Sequence, residues 1–255
     1  MRVNIVEVTH RNRTVTVIRA LAAPESETEP SPGSVAHASH VPGQSIQVQV
    51  PHLPGQWLQV ESSLAANPDG QFEFHLPAHE DAGVLREVAR VTRSGDQWEL
   101  GASSGEMTFD PQTETLMVAD GLGWAAMKSL LTGTFGGPTP ISLHLFLGAD
   151  SPGNLYDLQY VWHLAATSPW LHVHPVVRSL EDPWWLGAGP DSRPPAGLGI
   201  PQVGEVGEIV SRFGSWRHAD VLVAGGVDQV QAIRTFMEAK GTPSELIQTH
   251  TVAQI

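Results

Sequence analysis

The 255-residue sequence contains no cysteine. Disulfides, thiolate-bound metals, cysteine nucleophiles and cysteine-ligated iron–sulfur clusters are therefore excluded. Any redox chemistry must rest on a bound organic cofactor or on a metal held by other ligands. Positive charge is also scarce: 14 Lys+Arg stand against 27 Asp+Glu, a net charge of −13. Without a basic stripe, neither nucleic acid nor an anionic membrane surface is an expected partner. No apolar run approaches a membrane span, and the opening MRVNIVEVTHRNR lacks the apolar centre of a signal peptide. The expectation is a cytoplasmic protein. HExxH spacing is absent as well, which removes the familiar zinc-protease signature.

What remains is enough apolar residue, 41% of the chain, for two modest domains. In the first half RVNIVEVT, RTVTVIRA, SIQVQV, QWLQV, QFEFHL and QWELGA alternate with period two, separated by NR, PG and NPDG turn signals. The segment DAGVLREVARVTRSGD places Val84, Leu85, Val88 and Val91 on one helical face. Six strands and one helix predict a small antiparallel barrel over residues 1–111. Residues 22–41 are rich in Ser, Pro, Glu and Ala without periodicity and read as a disordered surface insertion.

From residue 112 to 255 strands alternate with helices. TLMVAD, ISLHLFLGAD, LHVHPVV, ADVLVAGG and LIQTHTV are strand-like, and WAAMKSLL, LYDLQYVWHLAA, GEVGEIVSRF and VDQVQAIRTFMEAKG are helix-like. That alternation predicts a doubly wound parallel sheet with right-handed crossovers. The stretch EDPWWLGAGPDSRPPAGLGIPQ is read as a loop, in which Trp184 and Trp185 either meet a ligand or partner or pack over the sheet. His172 and His174 share one face of a strand, with His144 and His163 as candidate neighbours. They are read as edge- or loop-facing histidines in preference to metal ligands.

The order PGQSIQVQVPHLPGQW, DGQFEFHL, RSGDQWELGASSGEMTFD, LMVADGLGWAAMKSLL, LFLGADSPGNLYDL and DVLVAGGVDQVQAIRTFMEAKGTPSELI resembles the ferredoxin–NADP reductase superfamily. It is most similar to the reductase portion of actinobacterial flavohaemoglobins, without their globin domain. The resemblance implies an FAD-binding barrel, an NAD-binding domain, and electron transfer from NADH through flavin to an acceptor such as a separate globin. In that family a PGQ strand leads through a hairpin to an arginine and a tyrosine that hold the flavin. Counted from Pro42, their positions fall on Gln59, Val60 and Glu61; counted from Pro54 they fall in the loop NPDG.

No Arg or Tyr occurs between Val41 and Gly83. Glutamine brings no charge to the flavin diphosphate, valine makes no hydrogen bond, and Glu61 adds negative charge. The family's second flavin element is a small hydroxyl residue at a helix N-terminus, and Leu85 stands there. On the nicotinamide side Gly121, Leu122 and Gly123 follow a strand and open a helix, as a GxGxxA turn requires. However, Asp120 replaces a glycine and Leu122 a threonine. Asp150 replaces the arginine of a frequent GAR, which favours NAD(H) over NADP(H). Ala224 replaces the cysteine before Gly225 and Gly226. Two functions follow: a flavin oxidoreductase with weakened flavin binding, or a non-catalytic binding or regulatory protein on the reductase fold.

Overall fold

In a computed structural model, the structure is described for residues 1–23, 40–64, 67, 69–105, 107–134, 138–181 and 201–252. The chain forms two units: Met1–Thr108 together with Ala125–Gly133, and Phe109–Trp124 together with Thr134–Val252.

The first unit is a closed antiparallel barrel. Its strands are β1 (Arg2–His10), β2 (Val15–Ala22), β3 (Ser45–Gln49), β4 (Leu58–Ser62), β5 (Gln71–Pro77) and β6 (Gln97–Ser104), in the order β1-β2-β5-β4-β3-β6. Closure leaves no unpaired edge. The β1–β2 turn is fixed by Asn12, whose Oδ1 accepts from the backbone N–H groups of Thr14 and Val15 at 2.8 and 2.9 Å. Period-two alternation sends Ile18, Ile46, Leu58, Val60, Phe74, Leu76 and Trp98 into the interior. Helix α1 (Gly83–Val91) covers the barrel with Leu85, Val88 and Ala89 buried. Its face is the expected one, except that Ala89 is inside and Val91 lies at its margin.

Strand β2 runs through Ala22, and His40 is buried with its ring stacked on Phe72. Residues 24–39 of the expected insertion lie outside the described residues. Each PGQ glycine has positive φ, Gly43 at 82° and Gly55 at 81°, as turns that reverse direction require.

The second unit is a six-stranded parallel sheet. It comprises β7 (Thr115–Asp120), β8 (Leu143–Ala149), β9 (Leu171–Val177), β10 (Gln202–Val203), β11 (Asp220–Gly225) and β12 (Ile247–Thr251), in the order β10-β9-β8-β7-β11-β12. β7 is buried over its whole length, as a strand covered on both faces must be. Helices α3 (Leu158–Thr167), α4 (Val206–Ser211) and α5 (Val227–Ala239) belong to this unit, whereas α2 (Trp124–Gly133) belongs, from Ala125 onward, to the first. The two-residue β10 was not expected from the sequence. It follows residues 182–200, which with Trp184 and Trp185 lie outside the described residues. The chain leaves β7 toward β8 on one side and returns to β11 on the other, so the strand order reverses between β7 and β11. Ligands of open parallel sheets collect at such a point, beyond the carboxyl ends of the strands. No helix among the described residues is long and apolar enough to cross a membrane.

Candidate functional site

On β4 the three positions that the resemblance assigns to flavin contacts divide between two faces. Val60 is 2% exposed and belongs to the barrel core, opposite Ile46 of β3. A tyrosine equivalent at 60 could not reach a ligand from inside a packed barrel. Gln59 and Glu61 lie on the outer face, because successive strand residues alternate. Gln59 Nε2 donates to Ser45 Oγ at 2.6 Å and Ser104 Oγ at 2.9 Å, so it closes the β3–β4–β6 surface. Glu61 pairs in register with Ser45 and His75 and is buried. Leu85, the expected phosphate-binding position, packs in the barrel core and offers nothing to an anion.

The outer face beside β4 carries a group the sequence reasoning did not select. Glu73 of β5 is almost wholly buried and accepts four contacts: from Lys128 Nζ at 2.7 Å, Arg19 Nε at 2.9 Å, Ser63 Oγ at 2.6 Å and His75 Nε2 at 3.1 Å. Arg19 also pairs with Glu7 at 2.9 Å. Burial alone would push the Glu73 carboxyl up. The His75 hydrogen bond and the Lys128 ammonium outweigh it and hold the carboxyl well below the carboxylate range. Lys128 sits on α2, and Gly43 N–H donates to Ser129 Oγ of the same helix at 2.6 Å. Thus α2 is fastened to the barrel at the first PGQ and over Glu73. In QFEFHL the alternation assigns Glu73 and His75 to the face away from the core. Nothing local shows that this face is covered, because its cover, Lys128, lies 55 residues away.

In the second unit Gly121, with φ 55°, and Leu122 and Gly123 form a turn at the end of β7 that opens α2. A Cβ on Gly123 would stand 2.1 Å from the Ala224 carbonyl oxygen. Glycine is required there by the close approach of two strand ends, whatever ligand is bound. Gly225 and Gly148 do the same for Asp120: added Cβ atoms would meet its Cβ at 3.2 Å and its Oδ2 at 2.9 Å. Gly226 caps α5 at its N-terminus. The structure therefore brings Gly121, Gly123, Asp120, Gly225 and Gly226 to one switch point. Leu122 is half-buried beside them.

In the sequence Asp120 and Asp150 stand where the family has a glycine and an arginine, with no cation assigned to them. In the structure Arg178, directly after β9, donates from Nη2 to Asp120 at 2.8 Å, from Nη1 to Asp150 at 3.0 Å and from Nε to Glu205 at 3.2 Å. Burial drives the Asp120 carboxyl upward despite the Arg178 guanidinium, with Asp150 and Glu205 adding to the rise. Three carboxylates share one guanidinium. The cluster keeps more acidic than basic groups at the ends of β7, β8 and β9. Sequence reading missed Arg178 and Glu205. The usable signal was strand order, since the ends of β7, β8 and β9 are neighbours and bear Asp120, Asp150 and Arg178.

Of the four candidate histidines, three meet on one face of the sheet as expected and His163 lies apart. His144 and His172 are cross-strand partners on β8 and β9, and His174 lies on the same face two residues on. The His144 ring centroid lies 4.8 Å from that of His172 and 5.6 Å from that of His174, so the three form a cluster on one face of the sheet, and Trp216 and Phe213 of the loop after α4 lie against His144 and His174. His163 is exposed on α3.

No family model matches the chain. The reductase component (ferredoxin–NAD(P)+ reductase) of a naphthalene 1,2-dioxygenase system from Pseudomonas putida is 31% identical over 119 residues, 45% of this chain and 36% of that protein. The match thus spans about a third of the relative's length. Solved structures agree over nearly the whole chain. The ferredoxin reductase of carbazole 1,9a-dioxygenase superposes with TM-score 0.77 at 18% identity, covering 98% of this chain and 68% of that one. The flavohaem-like FAD/NAD-binding domain of a nitric oxide dioxygenase from Vibrio cholerae gives 0.73 at 15%, covering 98% of each. A ferredoxin–NADP+ reductase from Neisseria gonorrhoeae, solved with FAD and NADP, gives 0.75 at 14% and 98% of each. The chain has the two-domain ferredoxin–NADP reductase fold.

Proposed function

We propose that this reductase-fold chain is a binding or regulatory module of an electron-transfer system and does not retain FAD. The observation that carries this reading is the Glu73 cluster. Beside the outer face of β4, where the resemblance places flavin contacts, the neighbouring face of β5 is occupied by buried and mutually paired side chains of Arg19, Ser63, Glu73, His75 and Lys128. FAD carries a diphosphate that needs cationic donors. On this face it would meet Gln59, Glu61 and a Glu73 carboxylate that already engages Lys128 and Arg19. Loss of a charge-assisted contact costs about 1.5–3 kcal/mol, so losing the arginine and the helix hydroxyl together lowers affinity by orders of magnitude. The residues present do not fit the cofactor. The expected result is a purified protein without flavin absorbance. Stoichiometric FAD surviving gel filtration would overturn the reading.

One observation favours a second reading, a flavin reductase that passes electrons from NADH to a separate globin or oxygenase component. The strand–turn–helix at Gly121–Gly123 keeps the backbone approach that a dinucleotide uses. In that reading binding is weak and prefers NAD(H). Asp150 accepts from a ribose 2′-hydroxyl and repels a 2′-phosphate, with Arg178 already divided among three acids. Calorimetric titration with NADH and NADPH separates the two readings. Silence with both supports the non-catalytic module, and tighter NADPH binding removes the role given to Asp150.

A further inference from the structure

The histidine cluster on β8 and β9 takes no part in either reading. His144 Nδ1 and His174 Nε2 lie 3.3 Å apart. The two rings are 9° from parallel with centroids 5.6 Å apart, a separation that places them edge to edge and nitrogen to nitrogen. Such a pair holds one proton between two lone pairs: one ring donates and the other accepts. The segment after α4 rests on these rings. Phe213 stands edge-on to His174 at 4.9 Å and to Phe146 at 5.1 Å, and Trp216 stands edge-on to His144 at 5.3 Å. His174 is in turn stacked on Phe146 at 4.4 Å.

The resting segment is strained. Trp216 has a φ of 38°, a left-handed conformation that a bulky residue holds only when its surroundings impose it. Its Nε1 is buried without an acceptor among the described residues. Beyond its backbone links to α4, the segment is tied down by the bond from Thr242 Oγ1 to the Ser215 carbonyl at 2.8 Å. Below it lies a groove of about 400 Å³ lined by Glu114, His144, Phe213, Trp216, Arg217 and His218.

We propose that the His144–His174 pair is an acid-released latch: in its neutral form it holds the segment from Phe213 to His218 against the sheet, and on protonation it lets that segment open. One added proton leaves the contact intact: it makes His174 an imidazolium by adding to Nδ1, Nε2 still donates to His144 Nδ1, and the His144 Nε2–H faces Glu114 Oε1, 3.7 Å away. A second proton leaves two donors facing each other. The other charged or titratable groups facing the pair are His172, stacked on His144, and Arg217 and His218 across the groove. Glu114 alone favours the cation. Burial, then the charges of His144 and His172, push the His174 imidazole down to about 4 from 6.5. Burial and His172 push His144 down as well, against Glu114.

The sign follows from linkage. An opened segment returns both rings to water and to ordinary affinity for protons. The open form therefore gains protons as pH falls below 6.5, and continues to gain on the closed form down to about pH 4. From His174 alone, the opening equilibrium rises roughly 20-fold between pH 7 and pH 5. Hydrogen exchange of the Phe213–His218 amides, corrected for intrinsic rates, measures it in the intact chain. The expected result is that rise in the wild type and a clearly smaller one in His174→Phe, which keeps an aromatic ring but no titration at that position. A flat wild-type profile, or a variant that keeps the rise, overturns the latch. Should the variant fail to fold, NMR titration of the wild-type imidazoles decides: a His174 midpoint near the ordinary 6.5 overturns the proposal, and one well below supports it.

Discussion

Lys128→Met is expected to destabilise the protein by about 3–5 kcal/mol, the usual cost of leaving one partner of a buried ion pair behind. The Lys128 side chain is 8% exposed and that of Glu73 4%, so water cannot replace the lost ammonium. Arg19 and His75 still reach the carboxylate, and they keep the loss within this range. The pH dependence identifies the group. In the wild type the Glu73 carboxyl is held below its ordinary 4.5 in the folded state. Its stabilisation is complete above about pH 4.5 and is lost progressively as pH falls below that value. In Lys128→Met the carboxyl is held down less firmly, so the acid loss is smaller and the two stability curves converge toward low pH. Adding Glu73→Gln to Lys128→Met should recover a large part of the loss at pH 7, because the buried carboxylate charge is then gone. Urea unfolding at several pH values tests this. A single-variant cost within about 0.5 kcal/mol, the range of ordinary surface changes, would show that Lys128 does not close the face of β5.

The same contact explains which parts of the molecule the sequence disclosed. Period-two alternation identified all six barrel strands, because Ile18, Ile46, Phe74 and Trp98 turn inward at every second residue, and that pattern needs no knowledge of neighbours. The α/β half was legible from the change of period, as strands alternating with helices. β10 was not, since two residues carry no periodicity. The site was legible in its losses more than in its replacements. The absent arginine and tyrosine could be counted. The register, however, treated Gln59, Val60 and Glu61 as equivalent although Val60 faces the core, so restoring a tyrosine at 60 would overpack the barrel. Glu73, Lys128 and Arg178 escaped notice because their meaning lies in long-range pairing. A carboxylate on an outward strand face reads as solvated until the helix that covers it is in place. The same holds for the histidines, whose edge-to-edge meeting depends on the parallel pairing of His144 with His172.

Arg178→Met should have the second large effect, about 3 kcal/mol, the low end of the range for a broken buried pair. The low end applies because the Arg178 side chain is 28% exposed, while that of Asp120 is 10% exposed. Asp150 and Glu205 are largely in solvent and contribute little to the loss. The buried Asp120 carboxylate is the group left behind, closely packed between Gly148 and Gly225. Its pH signature is opposite to that of Glu73. Burial already raises the Asp120 carboxyl above its ordinary 3.8 in the folded protein, even with Arg178 present. A folded-state value above the unfolded one means that stability from this group is present below pH 3.8 and declines as pH rises through the folded value. Removing the guanidinium moves that folded value further up. The variant's deficit is therefore largest at neutral pH and shrinks on acidification, as Asp120 takes a proton and ceases to be a buried charge. Asp120→Asn in the Arg178→Met background should restore most of the lost stability at pH 7 and remove the pH dependence of the difference. A deficit that stays constant from pH 5 to pH 8, or that Asp120→Asn leaves untouched, would show that Arg178 serves the exposed acids and that Asp120 is satisfied by other means.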